Sequence, residues 1–270
     1  MTCSLATAPY PRLVRAVIVL ALVALVAGTG FGVNARAQRR GAAGPPPAPK
    51  AAAPIDLTGY WVALITEDWR YRIPTPIKGD YAGVPLNPAG RKVADAWDAA
   101  KDEASGEQCK AYGAAGLMRM PVRLRITWQD DQTLKLETDR GTQTRVLVFG
   151  PSTRPGGDWQ GVSAASWHAE VGPMGRGGLF APGPQTGGSL RVVTSRMKPG
   201  YLRKNGVPYS ADAVLTEYFD RFDVPGGDAL LVVSTEVVDP TYLTQPFWTS
   251  SQFKKQNDAA GWNPAPCSAR

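Results

Sequence analysis

The chain has 270 residues, with 30 Lys and Arg against 23 Asp and Glu, a formal net charge of +7. The excess is concentrated at the N-terminus. Removing Arg12, Arg15 and Arg36 leaves 27 basic against 23 acidic residues, and removing Arg39, Arg40 and Lys50 leaves 24 against 23. A nearly neutral body has no footprint for a phosphate backbone, which excludes nucleic acid as the expected partner.

Two arginines precede the apolar run Ala16–Gly28, and Ala35-Arg36-Ala37 follows it. A charged start, an apolar run shorter than a span of ~20 residues and an A-x-A site predict a secretory signal peptide over 1–37. The expectation is a periplasmic or secreted protein with no stable membrane span after cleavage. Residues 38–54 are rich in proline and alanine and read as an extended, mobile linker. One body over 55–270 remains, long enough for a sizeable core. Its two cysteines, Cys109 and Cys267, are expected to pair in an oxidising compartment, pinning the end of the chain to the body.

The dominant period in the body is two. Thr58–Ile65 supplies an early strand. Val122–Trp128, Thr133–Asp139 and Thr144–Phe149 alternate apolar and polar residues and form a meander. Before the meander, Asn87 and Pro88 open one helix extending to about Gly106, with Val93, Ala96, Trp97 and Ala100 as its apolar stripe. After it come Trp159–Ala169, Ser189–Met197, Ala213–Phe222 and Ala229–Asp239. Val171–Gly188 is dense in glycine and proline and reads as a long loop. In YLRKNGVPYS (Tyr201–Ser210), Asn205-Gly206 predicts a type I′ hairpin turn lying beyond the barrel. About eight antiparallel strands with one flanking helix predict a mainly β fold, an up-and-down, lipocalin-like barrel, with a two-sheet sandwich as the alternative.

Familiar chemistry is sparse. There is one histidine, and no G-x-S-x-G elbow or G-K-[ST] phosphate loop, so neither a metal nor a cofactor is expected. Three polar clusters remain. In TEDWRYRIPTP (Thr66–Pro76), the charges and aromatics Trp69, Arg70 and Arg72 suit a barrel mouth holding an amphipathic ligand. In SWHAE (Ser166–Glu170), His168 is a candidate acid or base. The third cluster joins the hairpin to TEYFDRF (Thr216–Phe222) and DPTYLTQPF. Here Glu217, Asp220 and Tyr209 are the candidate catalytic groups, and Tyr201, Arg203, Tyr218 and Arg221 the candidate ligand contacts.

DLTGYW, TEDWRYR, GEQCKAYG, RLRITWQDD, GTQTR, PGYLRKNGVPYS, LTEYFDRF, DPTYLTQPF and WNPAPC together resemble an uncharacterised family of exported bacterial proteins, from about Asp56 to Cys267. The resemblance implies export and brings no activity, cofactor or site residue with it. Three functions follow from the residues. The first is a barrel binding a small apolar or amphipathic molecule. The second is a cofactor-independent lyase, hydratase or isomerase using an acid–base pair in the barrel. The third is an envelope structural protein.

Overall fold

Alternation becomes architecture in the computed structural model, which describes residues 45–171 and 185–270. Eleven strands form: β1 (Gly59–Leu64), β2 (Arg123–Asp130), β3 (Thr133–Thr138), β4 (Thr144–Phe149), β5 (Val162–Val171), β6 (Gln185–Ser195), β7 (Gly200–Arg203), β8 (Val207–Tyr209), β9 (Val214–Asp223), β10 (Ala229–Val238) and β11 (Phe247–Gln256). Nine close a barrel in the order β1-β11-β10-β9-β6-β5-β4-β3-β2, and β7 and β8 form a separate hairpin. Closure leaves no unpaired sheet edge in the barrel.

Two features depart from the up-and-down expectation. β4 and β5 run parallel, with Leu147 opposite Ser163. The segment between them, 150–161, returns the chain to the end it started from. The second departure is β11, a strand absent from the predicted set, which closes the barrel by pairing with both β10 and β1.

Period-two burial fills the interior. Along β10 buried and half-buried residues alternate strictly from Ala229 to Val237. Trp61, Leu124, Leu136, Val192, Phe219, Leu231, Val233 and Phe253 all point inward and leave no surface to solvent. They belong to one continuous apolar cluster that occupies the lumen.

The two ends of the barrel are closed differently. At the end where β2, β4, β5, β9 and β11 begin, a cap is built from the residues between β1 and β2 and from the β7–β8 hairpin. It has its own core, including Tyr81, Leu202, Val207, Tyr209, Leu215, Val237 and Phe247. At the opposite end Phe149 lies against Trp128 and Trp167, with ring centroids 5.7 and 5.3 Å away. Trp167 Nε1 donates to the Pro49 carbonyl at 2.8 Å, and Lys50 N donates to the Asp131 carbonyl at 3.1 Å. Residues 47–54 are therefore packed on the body, which begins at Pro47 rather than Ile55. The predicted signal peptide and the start of the linker lie outside the described residues.

Three further expectations are corrected, two of them in the cap. The single helix is two, α2 (Pro88–Asp95) and α3 (Ala99–Ala104), preceded by the short α1 (Trp69–Arg72) and followed by α4 (Ala114–Leu117). Asn87 caps α2 as predicted, accepting from Gly90 N at 2.8 Å. Asp98 then accepts from Ala100 N and restarts the chain as α3, so the helix breaks at Trp97. The buried face of α2 is Gly90 and Ala94, while Val93 is exposed.

The hairpin lies beyond the barrel as predicted, buried in the cap, but its turn is not type I′. Tyr201 pairs with Pro208 and Arg203 with Val207, leaving the three-residue loop Lys204–Gly206, in which Gly206 has φ +81° and Asn205 has no positive φ. A three-residue loop needs the left-handed conformation only at its last position. Finally, β6 begins at Gln185, inside the predicted Gly/Pro loop, whose residues 172–184 lie outside the described set.

After β11 the chain crosses the outside of β1 and β2 toward the cap. Trp262 packs edge-on against Tyr60 at 5.9 Å, and Gly141 N donates to the Ala265 carbonyl at 2.8 Å. Cys267 is then disulfide-bonded to Cys109.

Candidate functional site

Among the described residues one ion pair is fully buried, and it lies inside the barrel. Arg145 on β4 and Glu217 on β9 meet through two hydrogen bonds of 3.0 and 2.6 Å, with both side chains fully buried. Thr194 Oγ1 accepts from Arg145 at 3.2 Å and lies 2.8 Å from Ser163 Oγ. Glu217 was foreseen and Arg145 was not. The signal was present: Arg145 is in phase with Leu147 and Phe149, as Glu217 is with Leu215 and Phe219. Opposite charges on the apolar faces of two strands imply a buried partner for each. Both carboxylate oxygens are occupied by the guanidinium and neither partner reaches solvent, so no substrate meets this pair.

The other predicted catalytic groups do not join it. His168 is exposed on the outer face of β5. It lies opposite Ser189, which lies opposite Asp220, so the three form one row across β5, β6 and β9. Ser189 sits between the other two, whereas a relay to a nucleophile needs the imidazole in the middle. Burial raises the Asp220 carboxyl above its ordinary value, with Glu170 adding to the shift. Tyr218 is half-buried on the same outer face. Tyr209 is fully buried in the cap with an unpartnered hydroxyl, and burial raises its pKa well above the usual phenol value.

The predicted ligand contacts divide between places. Arg221 lies at the end away from the cap, where it donates to the Asp56 carbonyl at 2.7 Å. Arg70 pairs with Asp80, and Trp69 is 63% exposed at the edge of the cap. Arg203 is buried, stacks 4.2 Å from the Tyr71 ring and donates to the Ala82 carbonyl. Tyr201 donates to Asp102 Oδ2 at 3.0 Å.

Arg72 leads to a cleft. On α1 its guanidinium is turned inward, donating to the Arg119 carbonyl at 3.0 Å and to Glu67 Oε1 at 2.9 Å, with Nη2 left unpartnered. Burial and the neighbouring Arg119 lower its pKa to about 10, against the weaker pull of Glu67 and Asp68. Arg72 lines a cleft of about 520 Å³ on the cap. Tyr112, Met120, Pro121 and Val122 supply apolar surface, and Arg140 and Lys204 supply further charge. Ala265, Pro266, Ser268 and Arg270 complete it from the tail that the disulfide holds. No acidic residue lines it. Sequence reasoning placed Arg72 at a barrel mouth but missed Tyr112, Arg140 and Lys204. The expected Cys109–Cys267 bond was the available clue, because it brings the tail beside Tyr112.

Among the described residues no group of three or more His, Cys, Asp or Glu is placed to hold a metal ion, and no helix is long and apolar enough to cross a membrane. Comparison with protein-family models, with curated proteins and with solved structures finds no match.

Proposed function

We propose that this is an exported binding protein whose cap cleft takes a small amphipathic anion. The observation that carries the reading is the cleft's imbalance: four basic side chains, Arg72, Arg140, Lys204 and Arg270, with no acid among them, beside an apolar wall. A volume of about 520 Å³ falls within the range of small-molecule sites. Arg72 is buried with Nη2 unpartnered beyond its pairing with Glu67, and Arg140 and Arg270 are exposed at the cleft, so a ligand that brings negative charge is favoured. The amphipathic character is that expected from the sequence, the negative charge is added by the cleft's basic lining, and the place moves from the lumen to the cap because the lumen is packed with side chains. Export is supported by the N-terminal pattern and by paired cysteines, which suit an oxidising compartment.

Native mass spectrometry of protein purified from its own host tests the reading. It is expected to show a bound anion, released when Arg140 and Lys204 are both changed to alanine. Calorimetry with dodecanoate gives a second readout, with affinity falling at least tenfold in the same variant. Unbound protein from the host, together with no dodecanoate binding, would overturn the proposal.

A further inference from the structure

A second cleft, of about 560 Å³, opens on the cap where α2 gives way to α3, and it shares no lining residue with the basic cleft. The helix break creates it. α2 ends at Asp95 and Asp98 caps α3, so the two helices diverge around Trp97. Trp97 is held from behind by the hairpin loop. A Cβ on Gly206 would lie 2.2 Å from Trp97 Cβ, so only glycine lets the loop approach this closely. Val93, Ala96 and Trp97 form one wall and Tyr201 the other.

The charges around this apolar interior are unevenly committed. Asp102 accepts from Tyr201 Oη at 3.0 Å and from Lys110 Nζ at 2.9 Å. Asp98 accepts from the α3 backbone at 3.0 Å. The ammonium groups of Lys92 and Lys101, both exposed, make no hydrogen bond or ion pair with the described residues. With Lys110 paired to Asp102, two ammonium groups face the one unpaired carboxylate of Asp98, and the mouth is net positive. Toward the interior, Gln108 packs beside Trp97 and Tyr201 in a gap too small to admit a water-sized sphere. Trp97 Nε1 and Gln108 Oε1 are buried there without partners.

We propose that this cleft is a second binding site, for a ring-bodied organic anion whose apolar body lies between Trp97 and Tyr201 and whose charged group meets Lys92 and Lys101. Aromatic walls recognise a flat apolar body, and two unpaired ammonium groups at the mouth orient its charge. The proposal does not depend on the basic cleft.

The test uses the full mature chain and two dyes with the same ring system, the sulfonate 8-anilino-1-naphthalenesulfonate and the neutral N-phenyl-1-naphthylamine. The sulfonate is expected to bind the unaltered protein at least tenfold more tightly than its neutral counterpart. K92E/K101E, changing only exposed side chains, is expected to weaken the sulfonate at least tenfold and the neutral dye less than twofold, with an unchanged far-ultraviolet circular dichroism spectrum. The charge control K78E and the basic-cleft variant R140A are expected to change sulfonate binding less than twofold. No saturable sulfonate binding, equal affinity for the two dyes, or sulfonate binding that follows R140A instead would overturn the proposal. The dye comparison on the unaltered protein needs no variant to fold.

Discussion

The lumen and the cap treat buried charge in opposite ways. In the lumen Arg145 and Glu217 neutralise each other through two hydrogen bonds, and the unpartnered Arg145 Nε is closed off from solvent. In the cap, Arg72 is pushed down to about 10 by burial and Arg119, and Arg203 is also lowered, by burial and then by Arg119. A balanced buried charge serves the fold, whereas an imbalanced one at the wall of a cleft is available to a ligand. If this contrast is right, lumen changes should alter stability alone, and cap changes should alter affinity.

The largest expected effect joins the two properties. The disulfide closes a sequence separation of 158 residues. On the chain-entropy model, C109S/C267S should lose about 5 kcal/mol in denaturant unfolding, and it should also release the tail that completes the basic cleft. A variant that loses less than about 1 kcal/mol and keeps dodecanoate affinity would separate the tail from both roles.

Next, Glu217→Ala leaves Arg145 buried and uncompensated and should cost about 3–5 kcal/mol. The apolar pair R145M/E217L should recover most of that loss, and neither variant should change dodecanoate affinity in the fraction that remains folded. Altered affinity would break the division between lumen and cap.

Smaller is Gly206→Ala, which forces a side chain into φ +81° and against Trp97. The expected cost is about 1–3 kcal/mol with weakened sulfonate-dye binding. Unchanged dye binding would mean that the loop does not set the Trp97 wall.

The smallest effect is a pH dependence. Arg72 carries its charge below about 10 and loses it above. Anion affinity at the basic cleft should therefore hold through neutral pH and decline as pH rises through about 10. Because this native pKa lies below the unfolded value, losing the proton favours the folded state, so the decline is not unfolding driven by this group. Calorimetry from pH 7 to 10.5 reads it; Lys204, whose ammonium burial also lowers, adds to the same decline, so the profile is read in Lys204→Ala, where a flat curve would remove Arg72 from binding.

Most of the barrel was legible because each inward face carries a run of apolar residues at every second position. β11 escaped because its inward side mixes Phe247 and Phe253 with Ser251 and with Lys255, whose ammonium lies 4.5 Å from the Trp61 ring centroid. Apolar alternation is blurred in FWTSSQFKKQ, although the strand pairs on both sides. The parallel joint between β4 and β5 leaves no local trace, since the segment 150–161 reads as a loop in either topology. Helix periodicity carried through Trp97 because Asp98 was counted as one more helical residue rather than a new cap.

The candidate site was legible one residue at a time. Arg72 and Glu217 were singled out, but their environments depend on partners distant in sequence. The docking of residues 47–54 was hidden for another reason: composition says that a segment cannot form a core of its own, not that no existing core will hold it. The carbonyl that receives Trp167 Nε1 belongs to a proline in such a segment.

That docking fixes where the chain enters the body. Pro49 sits at the end of the barrel away from the cap, whereas the tail after Cys267 borders the basic cleft. A reporter, affinity handle or immobilising surface joined ahead of Pro47 would stand clear of both clefts across the length of the barrel. The same attachment after Arg270 would stand in the entrance of one of them.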